Sequence, residues 1–143
     1  MPRSCSIAAT LQVVGERWAL LVVREVALGV RRFDAIVEAT GAPRAVVAAR
    51  LRELVAAGVL VAEPYQEPGQ RARHEYRLTA SGRELQPVLS ALMAWGDAHL
   101  APPEGPPVVL RHDGCGGQVR LRQVCDCGEE LAPGKGVRAE PVQ

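Results

Sequence analysis

Residues 33–58 read FDAIVEATGAPRAVVAARLRELVAAG. Two apolar-periodic segments flank one tight break, and that pairing decides the fold. Phe33, Ile36 and Val37 recur at helical spacing, and their segment ends near Thr40-Gly41. Pro43 suits the first residue of a following helix, where its missing N–H costs nothing. That helix runs to about Ala57, closes at Gly58 and carries Val47, Leu51, Leu54 and Val55 as its buried stripe. Helices over 33–40 and 43–57 joined at Gly41-Ala42 make a helix-turn-helix. On the second helix Arg44, Ala48 and Arg52 fall at i, i+4 and i+8, and this row is expected to lie opposite the stripe.

Downstream, Val59-Leu60-Val61-Ala62-Glu63-Pro64 and His74-Glu75-Tyr76-Arg77-Leu78 read as two strands around a polar tip, Gln66 to Arg73. A hairpin beside a helix-turn-helix is the winged arrangement, and its physics fits duplex DNA. A helix fills the major groove, where base edges distinguish all four base pairs. The hairpin can lay arginines along phosphate or into the minor groove. Arg44 lies in the first helical turn, the part that usually meets base edges. Ala45, Ala48 and Ala49 let the backbone approach closely and can touch thymine methyls. With Arg52 on the same helix, Arg71 and Arg73 on the tip, and Arg32, they form the expected DNA-contact set. Any one of these arginines also reads as a solvated surface charge; the reading rests on the whole set in this order.

Upstream, Ile7, Leu11 and Val14 mark a helix over 6–14 stopped by Gly15. Glu16 to Leu28 is apolar nearly all round, as a central buried helix is. After the hairpin, Thr79-Ala80-Ser81-Gly82 leads into a long fifth helix with Leu85, Val88, Leu89, Leu92 and Trp95 on one face. Pro87 implies a kink or an extra boundary near its start. Ala101 to Pro107 is a stiff linker. Val108–Arg111 and Gln118–Val124 read as strands around Gly114-Cys115-Gly116-Gly117, and Lys135 to Gln143 as a loose tail. The expected fold is mainly α with a small β-hairpin wing. A winged helix-turn-helix and dimerisation domain covers 5–100, a linker 101–107, a C-terminal β-hairpin 108–134 and the tail 135–143.

The length of 143 residues suits one domain, or one small domain with an appendage. Hydrophobic residues make up 48% and aromatics only 3%, so the core must be built from Leu, Val, Ala and Ile. Arg17, Arg24 and Glu25 break the most apolar stretch, which excludes a transmembrane helix. No secretory signal is read at the N-terminus, and the cytoplasm is the expected compartment. Net charge is +1, yet residues 1–82 hold +3 and residues 83–143 hold −2. The basic bias, though mild, sits where DNA contact is expected. One Lys among 17 basic residues fits high-GC, bacterial codon usage.

The chain resembles the HxlR-type regulators, within the winged-helix group that also contains MarR. The resemblance lies in Cys5, Val14-Gly15-Glu16-Arg17-Trp18, Leu21-Val22-Val23-Arg24-Glu25 and Gly29-Val30-Arg31-Arg32-Phe33. It continues through Arg50-Leu51-Arg52-Glu53-Leu54, Gly58-Val59-Leu60, Glu75-Tyr76-Arg77-Leu78-Thr79 and Gly82, and covers about residues 5–100. It implies a homodimeric transcriptional regulator, here expected to be a repressor, that reads an inverted repeat in double-stranded DNA. The first and fifth helices would pack on the partner subunit, through Ile7, Leu11, Leu85, Leu89, Leu92 and Trp95. The recognition helix departs from the family by starting Pro43-Arg44-Ala45-Val46-Val47-Ala48-Ala49, poor in hydrogen-bonding groups, which shifts weight from base readout to shape and wing contacts.

Four cysteines in a reducing compartment are not expected to form a disulfide framework. Cys5 precedes a helix, where thiol pKa values fall. In the family this position is the oxidant-sensing thiol of some members, and a small hydrophobe at the dimer interface is the other reading. His112, Cys115, Cys125 and Cys127 form His-x-x-Cys and Cys-x-Cys-Gly halves. Structural zinc, a redox pair, or a plain hairpin with incidental cysteines all remain open for them. No enzyme is expected: there is no Gly-rich phosphate loop, and His74, His99 and His112 stand in no nucleophile arrangement. A small-molecule effector between dimer helices would supply a signal, with Trp18, Met93 and Trp95 as pocket walls or plain core. A thiol sensor or ligand-binding protein acting through the C-terminal cysteines is the alternative function.

Overall fold

A computed structural model describes residues 5–141. In chain order the elements are α1 (Ser6–Val14), α2 (Arg17–Ala27), α3 (Phe33–Thr40), α4 (Arg44–Ala56), β1 (Leu60–Tyr65), β2 (Arg73–Leu78), α5 (Ala80–Arg83), α6 (Gln86–His99), β3 (Gln123–Val124) and β4 (Glu130–Leu131). The Glu16 carboxylate caps α2 by accepting from the Trp18 N–H at 3.0 Å. Ala19, Val22, Val23 and Val26 of α2 are buried with Ile36 of α3 and Val47, Leu51 and Leu54 of α4. Val14, Ala42, Val59 and Leu60 complete this core of small and branched residues. Burying a side chain the size of Leu51 contributes about 1.5–3 kcal/mol. Glu25 is buried as well, and its carboxylate accepts from Arg24 Nε at 2.6 Å.

The turn between α3 and α4 has a local cause. Gly41 adopts the left-handed conformation at φ +70°, which glycine enters without a Cβ penalty. The Ala42 N–H donates to Thr40 Oγ1 at 3.3 Å, and Ala42 is buried. The two helices therefore leave the turn already anchored to the core.

β1 and β2 pair antiparallel in the register Leu60↔Leu78 to Tyr65↔Arg73. The hairpin is tied to the entry of α3 by the Tyr76 N–H donating to Arg31 O at 2.8 Å and by a bridge between Arg32 and Glu75. Thr79 caps α5 by accepting from the Gly82 N–H at 3.1 Å. The expected fifth helix is two helices, and the break falls at Glu84-Leu85, with Pro87 the second residue of α6. Proline lacks the N–H that a continuous helix needs and clashes with the preceding turn.

The chain divides into two units, Met1–Leu89 and Ser90–Gln143, so the division falls inside α6 rather than at the linker. Leu85 and Leu89 pack on the first unit's own core. In the second unit the expected strands 108–111 and 118–124 meet only at an isolated Arg111–Gln118 bridge. The hairpin there is the shorter β3–β4, with Gln123↔Leu131 and Val124↔Glu130. Val119 and Leu121 alternate as a strand would, but both are exposed, so nothing rewards a longer ladder. Among the described residues no single helix is long and apolar enough to cross a membrane.

Candidate nucleic-acid interface

Arg44, Ala45 and Arg52 are exposed on α4, while Ala48 and Ala49 are half-buried. The row does not lie opposite the stripe. At about 100° per residue, Arg44, Ala48 and Arg52 run beside Leu51 and Val55, which is why Ala48 is partly covered and why α4 shows no clean polar face. Arg44, at the first position of the helix, projects to its N-terminal end. There its Nη1 lies 2.8 Å from Asp34 Oδ1 of α3, and its guanidinium sits 4.9 Å from the Phe33 ring centroid.

The wing comes to the same place. Arg73 Nη1 lies 3.7 Å from Asp34 Oδ2, and Arg71 is exposed on the tip. Arg32, Arg44, Arg71 and Arg73 line one open groove of about 650 Å³ together with Phe33, Asp34, Tyr65 and Tyr76. Arg52 lies near Tyr76, whose phenol is pushed up by burial and partly drawn down by the Arg52 charge. The structure thus brings Arg32, Arg44, Arg71 and Arg73 together at the junction of helix and wing.

Arg32 is engaged differently from the others. Its Nη1 pairs with Glu67 at 2.7 Å and its Nε with Glu75 at 3.4 Å, both on the hairpin. Its guanidinium stacks 4.3 Å from the Tyr65 ring centroid. The Glu67 carboxylate, first among its causes, raises the Arg32 pKa further. In this arrangement Arg32 holds the wing against the start of α3. Asp34, Tyr65 and Glu67 are parts of the site that reading the arginines alone does not find. An acid in the first turn of α3 was visible, but it reads as a helix-dipole partner.

The apolar residues expected at a subunit contact divide. Ile7, Leu11, Leu92 and Trp95 are exposed in the single chain, whereas Leu85 and Leu89 are half-buried against its own core. Trp18 is half-buried and packed on the core, and Trp95 stands 5.0 Å from the His99 ring.

All four cysteines are exposed and free. Cys5 lies in the first unit, and the second unit holds the other three together with His112. His112 Nδ1 lies 3.2 Å from Cys115 Sγ, to which the Gly117 N–H also donates. The backbone N–H and then the thiol of the neighbouring Cys127 lower the Cys125 pKa. Among the described residues no three His, Cys, Asp or Glu side chains converge as a group that could hold a metal ion.

A tri-helical core, a helix-turn-helix with an exposed arginine at its start, and a hairpin with arginines at its tip docked beside it define a winged helix-turn-helix protein, a DNA-binding transcriptional regulator by class. The family model described as HxlR-like helix-turn-helix matches residues 13–104. The chain belongs to that family. An uncharacterised HTH-type transcriptional regulator of Mycobacterium tuberculosis, Rv3095, is 44% identical over 143 residues, covering 94% of this chain and 89% of that protein. The solved structure of PA1607, a candidate transcription factor, superposes with a TM-score of 0.84 at 36% identity, over 97% of this chain and 96% of that one. The oxidised form of the redox regulator HypR superposes with a TM-score of 0.60 at 28% identity, over 66% of this chain and 97% of that one.

Proposed function

We propose that the chain acts in the bacterial cytoplasm as a homodimeric repressor that binds an inverted repeat in duplex DNA through α4 and the wing and is released by a signal. The observation that carries this is the convergence of Arg44 at the start of α4 with Arg71 and Arg73 of the wing on one groove. Guanidinium groups spaced across a helix and a hairpin match phosphates flanking a major groove. Ile7, Leu11, Leu92 and Trp95 supply apolar surface for a second copy. Two copies would place their recognition helices on half-sites about 34–36 Å apart, or a multiple of that. The test is selection from a pool of random 40-base-pair duplexes, followed by sequencing. An enriched inverted repeat supports the reading. No enrichment, with binding insensitive to salt, would overturn it.

For the signal, a thiol reading stands beside a small-molecule effector. The exposed free Cys5, Cys115, Cys125 and Cys127 support it, as does the likeness to a redox regulator. Oxidant should then weaken DNA binding, and Cys5→Ser should abolish that loss if Cys5 is the sensor. Sensitivity that survives Cys5→Ser but not Cys127→Ser would move the sensor to the C-terminal pair.

A further inference from the structure

We propose that in the free protein the Asp34 carboxylate occupies the place of a DNA backbone phosphate between recognition helix and wing, and so restrains binding to any duplex. The inference rests on the DNA-binding reading above and adds a residue that regulates its strength. Asp34 stands in the first turn of α3 and reaches two other elements. One carboxylate oxygen is 2.8 Å from Arg44 of α4. The other is 3.7 Å from Arg73 of β2. Among the described residues these are the ion pairs of Arg44 and of Arg73, so both guanidiniums spend their charge on one acid.

Carboxylate and phosphate offer a guanidinium the same recognition, two or more charged acceptor oxygens in a plane it can match. The site is open to exchange: the side chains of Asp34, Arg44 and Arg73 are 61%, 66% and 48% exposed. Ion pairs this exposed are individually weak, so a phosphate can displace the carboxylate without opening the core. The Phe33 ring keeps the Arg44 guanidinium in position while its partner changes. The Asp34 carboxylate cannot leave, however. It stays on α3 beside the incoming phosphate, and like charges at that distance repel. The groove continues past Arg71, which extends the track along which a backbone would lie. Arg32, by contrast, is neutralised by the wing's own Glu67 and Glu75 and serves to hold the wing in place.

The experiment measures full-length protein by fluorescence anisotropy on a labelled 30-base-pair duplex of scrambled sequence, between 50 and 200 mM NaCl. Asp34→Asn is compared with Glu38→Gln, which removes the same charge one turn further along α3. Asp34→Asn is expected to tighten binding by about tenfold, and to steepen the plot of log affinity against log salt by about one. Glu38→Gln should change affinity by less than about twofold. In an Arg44→Ala, Arg73→Ala background, Asp34→Asn should do no more than Glu38→Gln. Circular dichroism melting of each variant verifies the fold. Equal effects of Asp34→Asn and Glu38→Gln would overturn the proposal in favour of a general charge effect. Weaker binding by folded Asp34→Asn would overturn it too, making Asp34 a scaffold for the contact. If the wild type binds no duplex even at 50 mM NaCl, the DNA-binding reading fails and takes this proposal with it; wild-type binding with an inert Asp34→Asn sinks this proposal alone.

Discussion

Gly82→Ala sets two opposing effects against each other, and the structure decides between them. Replacing a glycine in a helix usually stabilises by about 0.4–1 kcal/mol through the unfolded chain. At Gly82 the backbone is ordinary α5 helix, so strain plays no part and only space matters. A Cβ built there lies 2.2 Å from Val59 O, and 3.2 Å from both Val59 C and Leu78 Cδ2. An ordinary carbon–oxygen contact needs roughly 1 Å more. Val59 O cannot yield freely, because it accepts from the Thr79 N–H at 3.1 Å and lies 3.1 Å from the Thr79 hydroxyl. Moving α5 away strains those bonds, worth about 1 kcal/mol each. Overpacking of a filled site adds about 1–3 kcal/mol. The net loss is about 2–4 kcal/mol, a fall in melting temperature on the order of 10 °C for a unit of this size. Thermal melting followed by circular dichroism at 222 nm is the assay. A melting temperature unchanged or raised would show that the contact relaxes freely and refute the reasoning.

The subunit contact is testable on its exposed residues: Trp95→Asp should halve the mass seen by light scattering, from two 15.3 kDa chains to one, while the circular dichroism spectrum stays that of a folded chain. A wild type that is already monomeric would end the homodimer reading. Leu51→Ala, in a residue 1% exposed, should instead cost about 2–5 kcal/mol of stability and leave little folded protein. The lowered Cys125 pKa means that its thiolate persists to lower pH, so iodoacetamide at pH 7 should label Cys125 ahead of Cys115 by peptide mass spectrometry. Cys127→Ala removes the thiol donor but keeps the backbone N–H, so it should move the labelling of Cys125 only part of the way toward higher pH, and an unshifted profile would leave the backbone as the cause. Native mass spectrometry under reducing conditions separates the readings of the C-terminal cysteines: two zincs per dimer would show that metal draws His112, Cys115, Cys125 and Cys127 together, and a metal-free mass would leave them a redox element or inert.

How much of this was legible in the sequence differs by element. The helix-turn-helix was, because Gly41 and Pro43 punctuate two periodic segments, and α3 and α4 begin and end within a residue or so of their expected bounds. The wing was also legible, since the strand-like run Val59 to Pro64 and the alternating His74 to Leu78 flank a turn-rich tip. Pro87 announced the break between α5 and α6. The C-terminal strands were misjudged: alternation of Val119 and Leu121 implies a strand only where a surface exists to cover it, and both are exposed. The site was half legible. Arginine at 44, 71 and 73 could be seen as charge, but their meeting on Asp34 depends on the hairpin folding back over α3. The row on α4 was placed opposite the stripe, although a spacing of four advances it only slowly around the helix. Leu85 and Leu89 were grouped with Leu92 and Trp95 by periodicity, which does not say that the first pair meets the chain's own core.

The central claim is that α4 and the wing grip duplex DNA through their arginines, and one titration tests it most directly. Wild type, Arg44→Ala/Arg52→Ala and Arg71→Ala/Arg73→Ala are measured against the selected inverted-repeat duplex across a salt series. Wild-type affinity should fall steeply with salt, and each double variant should bind at least tenfold more weakly, with a slope shallower by about two. Variants that melt like the wild type and bind with its affinity and its salt slope would contradict the account.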